Sequence, residues 1–352
     1  MNLPKLDPQV FKSNVTDEFL RADNAKGDLA WKEAHILHSL MDAYAGTRDR
    51  WFLDKMIAHV DELWQYRDDR RGKVDELRNR VMPGWGSSGF GKDKWHVWLV
   101  HTGMITFPIA GFVRAVYESP ELHAQYKAKA DACLAQICEL IDAFDDEWYE
   151  FDDKGYYEYI AEMATLQGFP RGPHQSLPHN MYLIGATALL DAGHALELQQ
   201  RGRGQKYLQR AERMLRNFKS HLRPGSKPDT YAWDYWHYPE RGARIEDASH
   251  GAFGVIPAFR AWKNGLVFTR DDMVKFANTF KKIVLRPDGN VSKFIDGTGE
   301  TSDYFNSVAS FWLDLAEVDP EILEIGRQFV LERKCDFLQV GFAKLLRYSG
   351  KF

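Results

Sequence analysis

Residues 29–63 read LAWKEAHILHSLMDAYAGTRDRWFLDKMIAHVDEL, and they contain the unit from which most of the chain is built. Leu29, Ile36, Leu37, Leu40, Met41 and Tyr44 recur at three-, four- and seven-residue spacings, which places them on one face of a helix. AGTRD, residues 45–49, interrupts the pattern, and Phe52, Met56, Val60 and Leu63 resume it on a second helix. Two helices joined by so short a turn pack side by side and antiparallel. From Arg67 to Lys94 no period persists, so a long loop follows the hairpin.

The same succession recurs down the chain. Helical patterns near 98–117 and 122–146 are joined by ESPEL, and a long loop then runs to about 178. Further pairs are readable near 180–198 and 204–220, 249–264 and 271–285, and 303–316 and 320–333. No strand-like alternation of comparable length competes. Tandem hairpins form either an open solenoid or a closed ring. The strict alternation of short turns with long loops favours an all-α fold, an α/α toroid of about six to seven hairpins forming a single catalytic domain over 1–352. Short turns then lie on one rim and every long loop on the other, together with the N-termini of the inner helices.

Composition bounds the function. The 46 basic and 50 acidic side chains leave a net charge of -4 without a dense Lys/Arg block, which argues against nucleic acid as partner. Cys133, Cys138 and Cys335 lack metal-ligand spacing, and no Gly-rich phosphate loop or G-x-S-x-G nucleophile elbow is present, so neither metal nor cofactor is expected. No secretory leader and no long uninterrupted apolar run is visible, which predicts a soluble chain without a membrane partner. A periplasmic or secreted location is expected if the chain is a mature form, with the cytoplasm left open. Aromatic residues make up 14%, and many sit in Gly- or Pro-containing loops where sugar rings could stack on them.

Chemistry concentrates where loops meet inner helices. RIEDASHG, residues 244–251, brings Arg244, Glu246, Asp247 and His250 to a helix start, where unpaired N–H groups and the dipole favour anions. VHTGMITFP carries His101, PHNMYLIGA carries His179 and Asn180, and TSDYFNSVA carries Asp303, Tyr304 and Asn306. His101 and His250 each precede a proline, Pro108 and Pro257, by seven residues, which suggests equivalent rim positions. The loops add Trp85, Trp233, Tyr235 and Arg241 as candidate substrate contacts.

Such a set suits β-elimination on a uronic-acid polysaccharide or oligosaccharide. Asn180, Arg244 or a protonated Glu246 would neutralise the uronate carboxylate, and Tyr304 and His250 would move the proton. The segments PHN at 178–180, RIEDASHG and SDYFN at 302–306 resemble those of α/α-toroid polysaccharide lyases acting on alginate or glucuronan. That resemblance implies a Tyr/His acid–base pair with an Asn or acidic neutraliser. Here His179 precedes Asn180, the reverse of the order in the toroidal alginate lyases, so His179 and His250 both remain candidates, as do Tyr304 and Tyr235. Two alternatives stand beside the lyase. One is a glycoside hydrolase on the same fold using two carboxylates among Asp234, Glu246, Asp247 and Asp303. The other is a noncatalytic helical-repeat binding module.

Overall fold

The computed structural model describes residues 6–21, 23–168, 174–236, 244–337 and 339–350. After α1 (Pro8–Asn14), α2 (Ala34–Thr47) turns into α3 (Trp51–Gln65), and the short α4 (Asp68–Arg71) opens the first long loop. The second hairpin is α5 (Leu99–Glu118) and α6 (Pro120–Asp142), and α7 (Ala161–Leu166) lies in the loop after it. Then come α8 (His179–Gln199) with α9 (Gln205–Ser220), and α10 (Ala248–Lys263) with α11 (Arg270–Thr279). The last full hairpin pairs α12 (Asp303–Val308), continued by a 3₁₀ stretch Ala309–Glu317, with α13 (Glu321–Arg327), and α14 (Val340–Ser349) follows.

Contacts between these elements close a ring. Going round, α2 packs on α5, α5 on α8, α8 on α10, α10 on the Ala309–Glu317 stretch, that stretch on α14, and α14 back on α2. Each inner helix also packs on the outer helix that follows it, while α1 lies against α14. The all-α toroid expected from the hairpin pattern is therefore present, with six inner positions. Among the described residues, strands occur only as two-stranded ribbons in the loops, such as Trp148–Phe151 with Lys154–Tyr157.

Inner helices differ from the amphipathic stripe read in residues 29–44. They are surrounded on all sides, so α5 buries residues on every face, including Thr102 and Thr106. By average hydropathy α5 is long and apolar enough to cross a membrane, yet 83% of that stretch is buried inside the ring. The outer α9 keeps one apolar face, Tyr207, Ala211, Met214, Leu215 and Phe218. Gly103 permits a close inner contact: a Cβ there would lie 3.0 Å from the Gly185 backbone nitrogen of α8.

The ring is fastened by charge at its seam. Lys344 on α14 is fully buried and meets Asp314 at 2.6 Å and Asp42 of α2 at 3.4 Å. Arg347 reaches Asp42 at 2.6 Å, and the Tyr348 hydroxyl donates to Asp314 at 2.7 Å. Burial alone would push both carboxyls up, but the Lys344 and Arg347 cations hold them below their ordinary value. Two cavities on the ring fix its polarity. One is lined by residues at or just before inner-helix starts, the other by the C-terminal halves of α2, α5, α10 and α14. The starts of α2, α10, α12 and α14, with the loop that carries Phe90, share the first rim.

Candidate functional site

At the start of α10, Asp247 has extended backbone angles and caps the helix with its side chain. Its Oδ1 accepts from the Ser249 N–H at 3.0 Å, the His250 N–H at 2.9 Å and the Ser249 hydroxyl at 2.6 Å. Oδ2 faces His250 Nδ1 at 2.5 Å. Burial pushes the Asp247 carboxyl up, but hydrogen bonds from His250 and Ser249 outweigh it and hold the group at about 2. An ionised carboxylate only accepts, so Nδ1 carries the proton and Nε2 is the unprotonated nitrogen of the neutral ring. Glu246, next in sequence, has the opposite environment. It lies under Trp233, Ile295 and Gly251, and burial, then the Asp247 charge, raise its carboxyl well above the ordinary value. Two adjacent carboxyls thus coexist because one is neutral.

His250 opens onto a cavity of about 590 Å³ at the loop rim. Its wall is largely aromatic: Phe19, Trp31, Phe90, Phe253, Tyr304, Phe311 and Phe337. The polar members are Lys32, His35, Ser249, His250 and Asp336. Lys32 is paired with Asp28 at 3.0 Å, and burial depresses His35 to about 3, so its imidazole is neutral at pH 7. Asp336 is half-buried just before α14, and its Oδ1 accepts from the Gly341 N–H at 2.7 Å. Burial outweighs that bond and lifts the Asp336 carboxyl to about 6. A group at that value is protonated about half of the time at pH 6 and about a tenth of the time at pH 7, far more than an ordinary carboxyl, and can release that proton.

Several expected site residues lie elsewhere. Trp85 is fully buried, donates its indole N–H to the Leu63 carbonyl at 2.9 Å and stacks on Trp64, so it is core and not a sugar platform. Trp233 is equally buried, edge-on to Phe218 and Phe276. Asn306 holds the Val291 N–H at 2.8 Å and Asn290 at 3.1 Å, a structural role. His101 is buried between Trp31, Phe90 and Trp98, and burial depresses it to about 3. His179 meets Tyr182 at 2.6 Å beneath the rim, and Asn180 is buried beside it; neither lines the cavity. Arg241 lies outside the described residues.

Of the proposed bases, Tyr304 reaches the cavity mouth, its ring against Phe305 and Phe337. Tyr235 does not suit: burial and nearby acidic groups push its hydroxyl far up, despite the Arg244 guanidinium at 4.8 Å from its ring. Arg244 is therefore committed to Tyr235 and does not line the cavity. Among the alternative carboxylates, Asp234 is tied bidentately to Arg223 at 2.8 and 2.9 Å, and Asp303 sits exposed in the first turn of α12. Ligand atoms of Glu246, Asp247 and His250 lie within 4.8 Å of one another, close enough to share a cation. Asp247 already spends Oδ1 on the helix start and Oδ2 on His250 Nδ1.

The residue missed in the sequence is Asp336, together with the ring of phenylalanines. A signal was available, because DF at 336–337 precedes α14 much as EDASH precedes the body of α10.

Comparison with known proteins bears on the fold. No family model matches the sequence, and no curated protein does. Among solved structures, the chain is similar to an inactive variant of the alpha-1,6-mannanase GH76A of Salegentibacter sp. HEL1_6, in complex with alpha-1,6-mannotriose. The identity is 13% and the TM-score 0.53, over 90% of this chain and 88% of that one. A GH76 alpha-mannanase of Bacteroides thetaiotaomicron matches more weakly, with 12% identity and a TM-score of 0.38 over 70% of this chain and 60% of that one. The first of these shares the toroid and is a glycoside hydrolase, so the likeness supports the fold and corrects the expected kinship with uronate lyases. The geometry agrees with the correction. A lyase needs cationic or amide groups around a uronate carboxylate, and Arg244 and Asn180 are both absent from the cavity wall.

Proposed function

We propose that the chain is a glycoside hydrolase whose active site is the aromatic cavity at the loop rim, and that residues 1–352 act as one catalytic domain. The observation that carries this reading is one cavity wall holding two groups of opposite proton character. Asp336, raised to about 6, supplies a proton to the departing glycosidic oxygen, and His250, held by Asp247, draws a proton from the attacking water. Division of labour between an acid and a base by environment is the pattern on which glycosidic hydrolysis rests. Asp247 acts through His250 and is a positioning residue. Glu246 stays neutral behind it and spares the site a second negative charge.

The lining offers a uronate carboxylate only Lys32, already neutralised by Asp28, and an Asp336 that becomes anionic once its proton is given, so a neutral saccharide fits better than a uronate. The mannanase neighbour was solved with alpha-1,6-mannotriose, which makes alpha-1,6-linked mannan the first polymer to test. Incubation with it and with a panel of other neutral polysaccharides should release reducing ends without the near-ultraviolet absorbance of an unsaturated sugar. Absence of reducing ends across the panel, with oligosaccharide binding retained, would replace the hydrolase by a binding module.

A further inference from the structure

We infer that the inner end of this cavity is a subsite for an aromatic ring carried by the substrate, so that the preferred substrates are aryl glycosides or aryl-substituted saccharides. The inference rests on the hydrolase reading only for the word glycoside. Depth and polarity run in parallel along the cavity. Tyr304, 51% exposed, and Phe90, 47% exposed, stand at the mouth, whereas Phe253, Phe311 and His35 are buried at the inner end. His250 and Asp336 are only partly buried, so the groups that move protons are nearer the mouth than those rings.

The rings form a continuous arc. Phe90 meets Trp31 edge-on at 6.3 Å, Trp31 meets Phe253 at 6.5 Å, Phe253 meets Phe311 at 5.6 Å, and Phe311 meets Phe337 at 5.2 Å. Phe337 in turn meets Tyr304 edge-on at 6.0 Å. Tilted and edge-on neighbours present both ring faces and ring edges to the space between them, the arrangement into which another aromatic ring fits best. A pyranose fits worse. It carries hydroxyls around its edge, and among the described residues the inner end offers them the neutral imidazole of His35 alone, so most of them would be buried without partners. Lys32 brings no free charge there, being paired with Asp28 and lying over Phe19.

Calorimetric titration of the intact protein with phenol and with cyclohexanol separates an aromatic subsite from a merely greasy one, because the two differ little in size. Phenol should bind at least about threefold more tightly, in the range expected for an added aromatic contact. Phe253→Leu, which keeps an apolar side chain and removes one ring, should weaken phenol severalfold and leave cyclohexanol unchanged. Equal affinities for the two alcohols, or a phenol affinity indifferent to Phe253→Leu, would overturn the subsite. The hydrolase reading is tested separately: cleavage of unsubstituted oligosaccharides without phenol binding leaves the hydrolase and removes the subsite. Phenol binding without cleavage of any glycoside does the reverse.

Discussion

Replacing Asp336 by asparagine should stabilise the protein while inactivating it. The carboxyl is raised from 3.8 to about 6, roughly two pKa units. At about 1.36 kcal/mol per unit, ionising it in the folded state costs about 3 kcal/mol more than in the unfolded chain. The sign follows from the direction of the shift. Below pH 4 the group is protonated in both states and contributes no penalty; between pH 4 and 6 the penalty grows; above 6 it is complete. Partial exposure of Asp336 reduces the figure, so Asp336→Asn should gain about 1–3 kcal/mol at pH 7.5 and almost nothing at pH 3.5. Asparagine keeps a carbonyl oxygen for the Gly341 N–H, so that bond survives. Denaturant unfolding at the two pH values measures the gain, and reducing-end release should fall by about 10²–10⁴. A variant equally stable with wild type at pH 7.5, or stabilised to the same degree at both pH values, would refute the raised carboxyl and with it the assigned acid.

Asp247→Asn should lower turnover by about 10²–10⁴, because the ring of His250 loses the acceptor that fixes its proton on Nδ1; the melting transition should persist, since an asparagine also caps a helix. Lys344→Met leaves Asp42 and Asp314 buried without their shared cation and should cost about 3–5 kcal/mol in urea unfolding at pH 7. In the wild type those depressed carboxylates contribute stability present above about pH 4 and lost as pH falls further, so the difference between the two chains should shrink in acid. Trp85→Ala should cost about 3–5 kcal/mol through the cavity it leaves and should not change the KM of the protein that remains folded.

The fold was legible because its unit is local. A hairpin such as 29–63 announces itself through helical period and a short break, and five such units in a row leave few ways to arrange them. The sixth position was legible only as the expectation that the chain's terminal segments complete the ring, because its inner helix, α14, has only Val340–Ser349 and its outer partner α1 stands at the far end of the chain. The proposed site was legible where it shares residues with a helix cap: Asp247 and His250 are marked by their place at a helix start. It was misread where aromatic residues in loops were taken for sugar platforms. Trp85 and Trp233 lie in loops by sequence, but those loops fold down onto the outer ends of the ring and bury both indoles. Sequence gives no measure of that depth. Asp336 escaped notice for the complementary reason: its proton affinity comes from burial, which outweighs the backbone bonds from Gly341 and Phe342, residues of a helix that the periodicity did not reveal.

The seam helix therefore joins stability to chemistry, and its two ends can be separated by mutation. At its start, Gly341 lies so close to its neighbours that a Cβ would stand 2.4 Å from Val330 Cγ2, 2.5 Å from the Ser310 hydroxyl and 3.0 Å from Asp336 Oδ1. Gly341→Ala must displace either the first turn of α14 or the Val330, Ser310 and Asp336 side chains, disturbing the bond that holds Asp336 in the cavity wall, and overpacking of this kind costs about 1–3 kcal/mol. Lys344 and Arg347 lie further along, facing Asp42 and Asp314 on the interior of the ring, away from the cavity. Gly341→Ala should therefore lower kcat in protein that is still folded, whereas Lys344→Met should lower stability by more and leave the kcat of the folded fraction nearly unchanged. Turnover measured well below each variant's melting temperature, and scaled to folded protein by circular dichroism, makes the comparison. Equal losses of kcat in the two would mean that any loosening of the seam disables the site, and the placement of Asp336 by the Gly341 turn would lose its support.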